Sequence, residues 1–115
     1  MVSPSKDYVN AALGALGHLL GRNGHGRFYV TGLGSNPPMF PHDRRSGGDA
    51  IPEPWPGYLV GGGWPKAADW VDKQESYQTN EIAINWNGAL VYALAGFVEG
   101  NVATPPAPAK PPSRP

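Results

Sequence analysis

The stretch YQTNEIAINWNGALVYAL, residues 77–94, decides how this chain is read. From Ile82 onward, Ile82, Trp86, Ala89, Leu90, Ala93, Leu94 and Phe97 recur at helical spacing and share one face. The spacing predicts a helix over 81–98, with Asn80 as its cap and Gly100 as its end. One acid, Glu81, stands where that helix would begin. A carboxylate in a first turn is favoured by the helix dipole by about 0.3–1 kcal/mol. The position is therefore explained by helix initiation alone, and equally by an acid aimed into a site.

A second helix is predicted over 5–20, where Tyr8, Ala12, Leu16 and Leu19 follow the same period and Leu13 and Leu20 widen the face. Ser5 is its N-cap and Gly21 its stop. The amino-terminal residues lack the basic region and cleavage site of a leader and read as helix. Residues 21–80 show no sustained period. A short apolar run, RFYVTGLG (27–34), reads as extended, and the rest is turn chemistry such as SNPP, SGGD, PEPWPG and VGGGWP.

Glycine (16) and proline (14) are abundant enough in 115 residues to raise the question of disorder. Their placement answers it. The segment ATPPAPAKPPSRP (103–115) has no aromatic or large aliphatic residue and reads as a polyproline-like linker or disordered tail. The other glycines and prolines lie among aromatics, in what reads as ordered loop. Nine basic residues balance nine acidic ones. That balance offers no field for nucleic acid or an acidic membrane surface, so neither is an expected partner. No apolar run is long enough to span a membrane. There is no cysteine, hence no disulfide or thiol chemistry.

Two helices and one long loop bury too little apolar surface to offset an ordering entropy of about 1–2 kcal/mol per backbone residue. The helices' apolar faces call for partners that this sequence does not contain. The expectation is the carboxy-terminal part of a larger helical domain over 1–102, followed by the linker. An obligate oligomer supplying the core in trans is the alternative.

Four polar groups stand out among many aromatics: His42 and Arg44 in FPHDRRS, Asp72 in DWVDKQESY, and Glu81. Carboxylates beside flat aromatic platforms suit a carbohydrate, whose ring offers C–H groups to an aromatic face and hydroxyls to charged partners. The bland readings are a loop ion pair of His42 or Arg44 with Asp43 or Asp49, and a capping role for Asp72. Arg45 is the better candidate for a structural pair, and His18 and His25 read as surface or packing residues. Trp55, Trp64 and Trp70 fit either sugar platforms or loop anchors.

The segment GRFYVTGLGSNPPMFPHDRRS (26–46) resembles the first carboxy-terminal signature of glycoside hydrolase family 9, the cellulase family, through its Val-Thr-Gly-x-Gly-x-Asn run and its Pro-His-x-Arg ending. WVDKQESYQTNEIAINWNG (70–88) resembles the second: aromatic-x-Asp, an aromatic five residues on, then Glu-x-Ala and Asn. LLGRN (19–23) fits the segment that precedes them. Phe28 stands where the first signature has a small or hydroxyl residue, and Gly88 where the second has Ala or Ser.

The resemblance implies an all-α fold, an (α/α)6 barrel of which this chain would be a carboxy-terminal fragment. It implies inverting hydrolysis of β-1,4-glucosidic bonds in cellulose or related β-glucans. It assigns Glu81 as general acid, and Asp72 as the signature's aspartate, grouped with the catalytic residues in a supporting role. It assigns His42, Arg44 and Trp86 to substrate binding. The family's catalytic base lies in an Asp-Ala-Gly-Asp-like motif that this sequence lacks, so the chain alone is expected to be inactive. Its partners would be a β-1,4-glucan and the missing amino-terminal part of the same domain. The intact enzyme would be extracellular, because its polymer cannot enter a cell. No cofactor is expected. The family often carries structural calcium, but Asp43, Asp49 and Asp69 lack the spacing of a calcium loop. A non-catalytic carbohydrate-binding remnant, or a helical piece complementing another chain, are the competing functions.

Overall fold

The computed structural model describes residues 5–100, with side chains through Val98. The expected boundary at 102 and the 103–115 tail lie outside the described residues. Helix α1 spans Lys6–Leu19. Ser5 caps it by accepting the Tyr8 amide at 3.4 Å, and it ends before Gly21, whose φ of 108° a side chain would resist. A single turn, α2, spans Tyr77–Asn80, and α3 spans Ile84–Gly100.

Helix α3 begins at Ile84, later than the predicted 81, and Asn80 does not cap it. The reason is lateral pairing. The Glu81 carbonyl accepts the Gly61 amide at 3.0 Å and the Asn80 carbonyl accepts the His42 amide at 2.8 Å. Glu81 is extended (φ −73°, ψ 150°). Backbone groups that a helix would use along its axis are spent on neighbouring segments instead.

Among the described residues no continuous strand forms. The long loop is held by single bridges: Leu20 with Phe28, Val30 with Leu59, and Val60 with Ile82, all antiparallel, and His42 with Glu81, parallel. Of the 27–34 run expected to be extended, only Phe28 and Val30 make bridges. From Thr31 the chain turns, with φ of 68° at Gly32 and 63° at Gly34 and the Leu33 amide on the Val30 carbonyl, and Thr31 fastens the next turn. The Thr31 hydroxyl donates to the Trp55 carbonyl (2.6 Å) and accepts the Tyr58 amide (2.9 Å).

The core lies in this region rather than between the helices. Tyr29, Val30, Leu59, Val60, Trp70 and Leu90 are buried, with Leu16, Leu19, Leu20 and Ile82 packed against them. Tyr29 meets Trp70 edge to face at 5.4 Å, and His18 and His25 pack on Tyr29. His18 stays exposed and His25 is half-buried. Phe28 fits because its ring covers Gly34, where a side chain would collide with it. Gly88 meets no neighbour.

The helices are left with uncovered apolar faces. No α1 residue is buried. On α3, Ile84, Val91 and Val98 form a stripe that is 90, 67 and 70% exposed, and Tyr92 beside it is 84% exposed. The opposite face lines an open apolar cavity of about 380 Å³ with Ala12, Leu16, Leu19 and Leu59. From Ile84 to Val98 the helix carries no charge. Beyond Asn85 and Asn87 near its start, its apolar side chains spread over most of its surface, and such a helix is built to be enclosed.

Burial raises the Tyr29 phenol above its ordinary value of 10.0, against the opposing pull of Arg27. A raised folded-state pKa means the contribution is complete below pH 10 and is lost as pH rises through the folded value. Tyr29→Phe is therefore expected to flatten the alkaline loss of stability. Urea unfolding from pH 8 to about pH 11 measures it.

Candidate active site

Three segments meet at Glu81. The 39–42 segment lies on one side, through the bridge to His42, and 58–61 on the other, through Gly61. The third is the turn of α2 that delivers residue 81. Gly61 allows the close approach. A side chain there would press on the Thr79 carbonyl and on the Trp86 ring, at 3.0 and 3.3 Å. Glu81 is exposed, while the residue before it, Asn80, is fully buried.

Asp72 organises the first of these segments. Its Oδ2 accepts the Met39 amide at 2.8 Å, and its Oδ1 accepts the Phe40 amide at 2.9 Å and the Asn80 Nδ2 at 3.1 Å. Arg27 reaches Oδ2 at 3.5 Å, and also donates to the carbonyls of Asn36 (2.9 Å) and Pro37 (3.0 Å). Bonds from charged carboxylates to main-chain amides are among the stronger ones in proteins. Both carboxylate oxygens are occupied in this way.

His42 is held at both ends. Its backbone joins Asn80, its Nδ1 hydrogen-bonds the Gln74 carbonyl, and its ring meets Tyr77 edge-on at 6.3 Å. A ring whose Nδ1 donates to a carbonyl presents Nε2 as an acceptor. His42, Asp43, Arg44, Gln74 and Glu75 line one open cavity of about 210 Å³. Arg44 is exposed and among the described residues forms no ion pair. Arg45 takes the structural pairing instead, bonding Asp43 at 3.1 Å and lying over Trp55 and Tyr58 at 5.7 and 5.9 Å.

The structure thus brings His42 and Arg44 to one cavity and joins His42 to Glu81 through the backbone. It does not bring Trp86 to them. Trp86 lies over Gly61 and lines the apolar cavity with α1 and Leu59. Trp55 and Trp70 are loop anchors. Trp55 donates its indole N–H to Asp49 at 2.9 Å, and Trp70 is buried under the Arg27 guanidinium at 4.5 Å. Trp64 stays 65% exposed.

Sequence reasoning missed Gln74, Tyr77 as a neighbour of His42, and Asn87. Asn87 accepts the Leu59 amide with its Oδ1 (2.8 Å) and donates to the Leu59 carbonyl (3.3 Å) and the Ala83 carbonyl (3.0 Å). Its place in the second signature, six residues after Glu81, was the available signal. Among the described residues no group of three or more metal-ligating side chains is gathered.

The sequence profile of glycosyl hydrolase family 9 matches residues 1–94. Endoglucanase D of Acetivibrio thermocellus is 74% identical over 102 residues, which are 89% of this chain and 16% of that protein. A xyloglucan-specific endo-beta-1,4-glucanase of Bacteroides ovatus is 44% identical over 104 residues, covering 80% of this chain and 18% of its own length. The crystal structure of an endoglucanase from Clostridium thermocellum complexed with cellotetraose superposes with a TM-score of 0.76 at 30% identity, over all of this chain and 21% of that one. The chain belongs to glycosyl hydrolase family 9. It spans about a sixth of the length of the endoglucanase D sequences it matches.

Asn87→Ala removes both Leu59 bonds and is expected to cost about 1–3 kcal/mol through the unpaired Leu59 groups. Hydrogen exchange at the Leu59 amide should rise more than at Val60, whose amide bonds Tyr29 at 2.9 Å.

Proposed function

We propose that this chain supplies the general acid and part of the glucan cleft of an (α/α)6-barrel enzyme that hydrolyses β-1,4-glucan with inversion. The observation that carries the reading is the parallel bridge joining Glu81 to His42, beside the cavity that His42 shares with Arg44. An inverting glycosidase needs one carboxyl to protonate the leaving oxygen and a second to activate water, the two about 6.5–9.5 Å apart. Glu81 is exposed at the meeting of three segments and suits the first role. The second carboxyl belongs to the rest of the domain. The uncovered faces of α1 and α3 are where that remainder packs.

His42 and Arg44 are binding groups. The planar guanidinium can donate to two sugar hydroxyls at once, and His42 Nε2 accepts one. Asp72 acts at one remove, holding the 39–42 segment with both oxygens. Trp86 lines the apolar cavity between the helices and also reaches Gly61, whose amide bonds the Glu81 carbonyl. The relatives' names and their complexes with cello-oligosaccharides support the substrate class. An enzyme acting on such a polymer works outside the cell.

The test places residues 1–102 in endoglucanase D of Acetivibrio thermocellus, in exchange for the matching segment. The chimera should hydrolyse carboxymethyl-cellulose and the isolated chain should not. His42→Ala and Arg44→Ala should each raise KM for cellotetraose about tenfold or more, the size of a lost charged or polar contact. Hydrolysis by the isolated chain contradicts the claim that the base lies elsewhere.

A further inference from the structure

We propose that Asn80 is the positioning residue for Glu81: its buried side-chain amide sets the register in which the acid faces His42. The inference rests on the reading of Glu81 as general acid and goes beyond it by naming what aims that acid.

Asn80 is fully buried, directly before an exposed glutamate. Its Nδ2 donates to the Phe40 carbonyl at 2.6 Å and to Asp72 Oδ1 at 3.1 Å. Its own carbonyl accepts the His42 amide at 2.8 Å. One residue therefore grips the 39–42 segment at two points, by side chain at Phe40 and by backbone at His42. These two grips fix which residue of that segment lies opposite Glu81. A slip of one residue in such a pairing turns the side chain to the other face. Among the described residues, no other residue of α2 hydrogen-bonds both Phe40 and His42.

The chemistry of the position singles out an amide. Two N–H donors are needed, one for a carbonyl and one for a carboxylate. A carboxylate at 80 would face Asp72 as a like charge, and an aliphatic residue would leave both acceptors bare. The Asn80 Oδ1 is buried without a hydrogen-bond partner. An unpaired buried oxygen is destabilising, so packing alone does not account for an asparagine here. The donors of that amide account for it.

Asn80→Ala, Asn80→Asp and Glu81→Gln, made in the chimeric domain, test this with cellotetraose under conditions where each variant is folded by circular dichroism. Asn80→Ala should lower kcat about 10- to 100-fold, the cost of misplacing a reacting group by about an ångström, with KM changed less than about threefold. Asn80→Asp is nearly isosteric and keeps the test decisive if the alanine variant does not fold. Its new carboxyl lies against Asp72, which Arg27 also approaches, and it can donate only when protonated. Its kcat relative to the parent should therefore rise about tenfold or more as pH falls from about 7.5 to 5. A purely structural residue would lower the melting temperature without this pH-dependent recovery.

If Glu81→Gln is inactive while the Asn80 variants keep kcat within about twofold at every pH, the positioning role is overturned and the acid stands. A flat ratio between Asn80→Asp and the parent overturns it equally. If Glu81→Gln is fully active, the reading of Glu81 fails and this inference with it.

Discussion

Asp72 accepts hydrogen bonds from three separate parts of the chain: the Met39 and Phe40 amides, the Asn80 side chain and, at longer range, Arg27. The rest of the site depends on this carboxylate. It fixes a proline-rich segment that has no regular structure of its own. The far end of that segment then offers His42 to Asn80 and Glu81. A negative charge satisfied by main-chain amides and a guanidinium can sit at 15% exposure without isolation in a low-dielectric interior. Its removal would release the segment and not merely one contact.

Around that anchor the loop carries the buried core, and the helices keep the bare apolar faces that their missing partners implied. The loop buries Tyr29, Val30, Leu59, Val60 and Trp70 through single bridges and side-chain knots at Thr31 and Asn87. Helix α3 buries Leu90 and leaves the Ile84, Val91 and Val98 stripe in solvent. The consistent explanation is a chain whose local architecture is complete and whose helical layer is shared with a larger domain.

Much of this was legible. The period and caps of α1 could be read from Ser5, Leu16, Leu19 and Gly21, because those signals act within a few residues. His42, Arg44, Asp72 and Glu81 were legible only through their place in two long signatures. The start of α3 was not, because Glu81 pairs with Gly61 and His42, partners twenty and more residues away that no local period encodes. Trp86, in the first turn of that helix, lines the apolar cavity with α1 and Leu59. Gln74 was invisible for another reason. It acts on His42 through its main-chain carbonyl, which every residue type carries.

The central claim is that Glu81 gives a proton to the leaving oxygen, and leaving-group dependence tests that most directly. A general acid matters where the departing oxygen is basic and matters little where it leaves readily as an anion. In the intact domain, Glu81→Gln should cleave a dinitrophenyl β-cellobioside at close to the parental rate. The same variant should lose about a hundredfold or more on cellotetraose. Equal losses on both substrates would contradict the account, and would make Glu81 a structural acid beside a catalytic site that lies elsewhere.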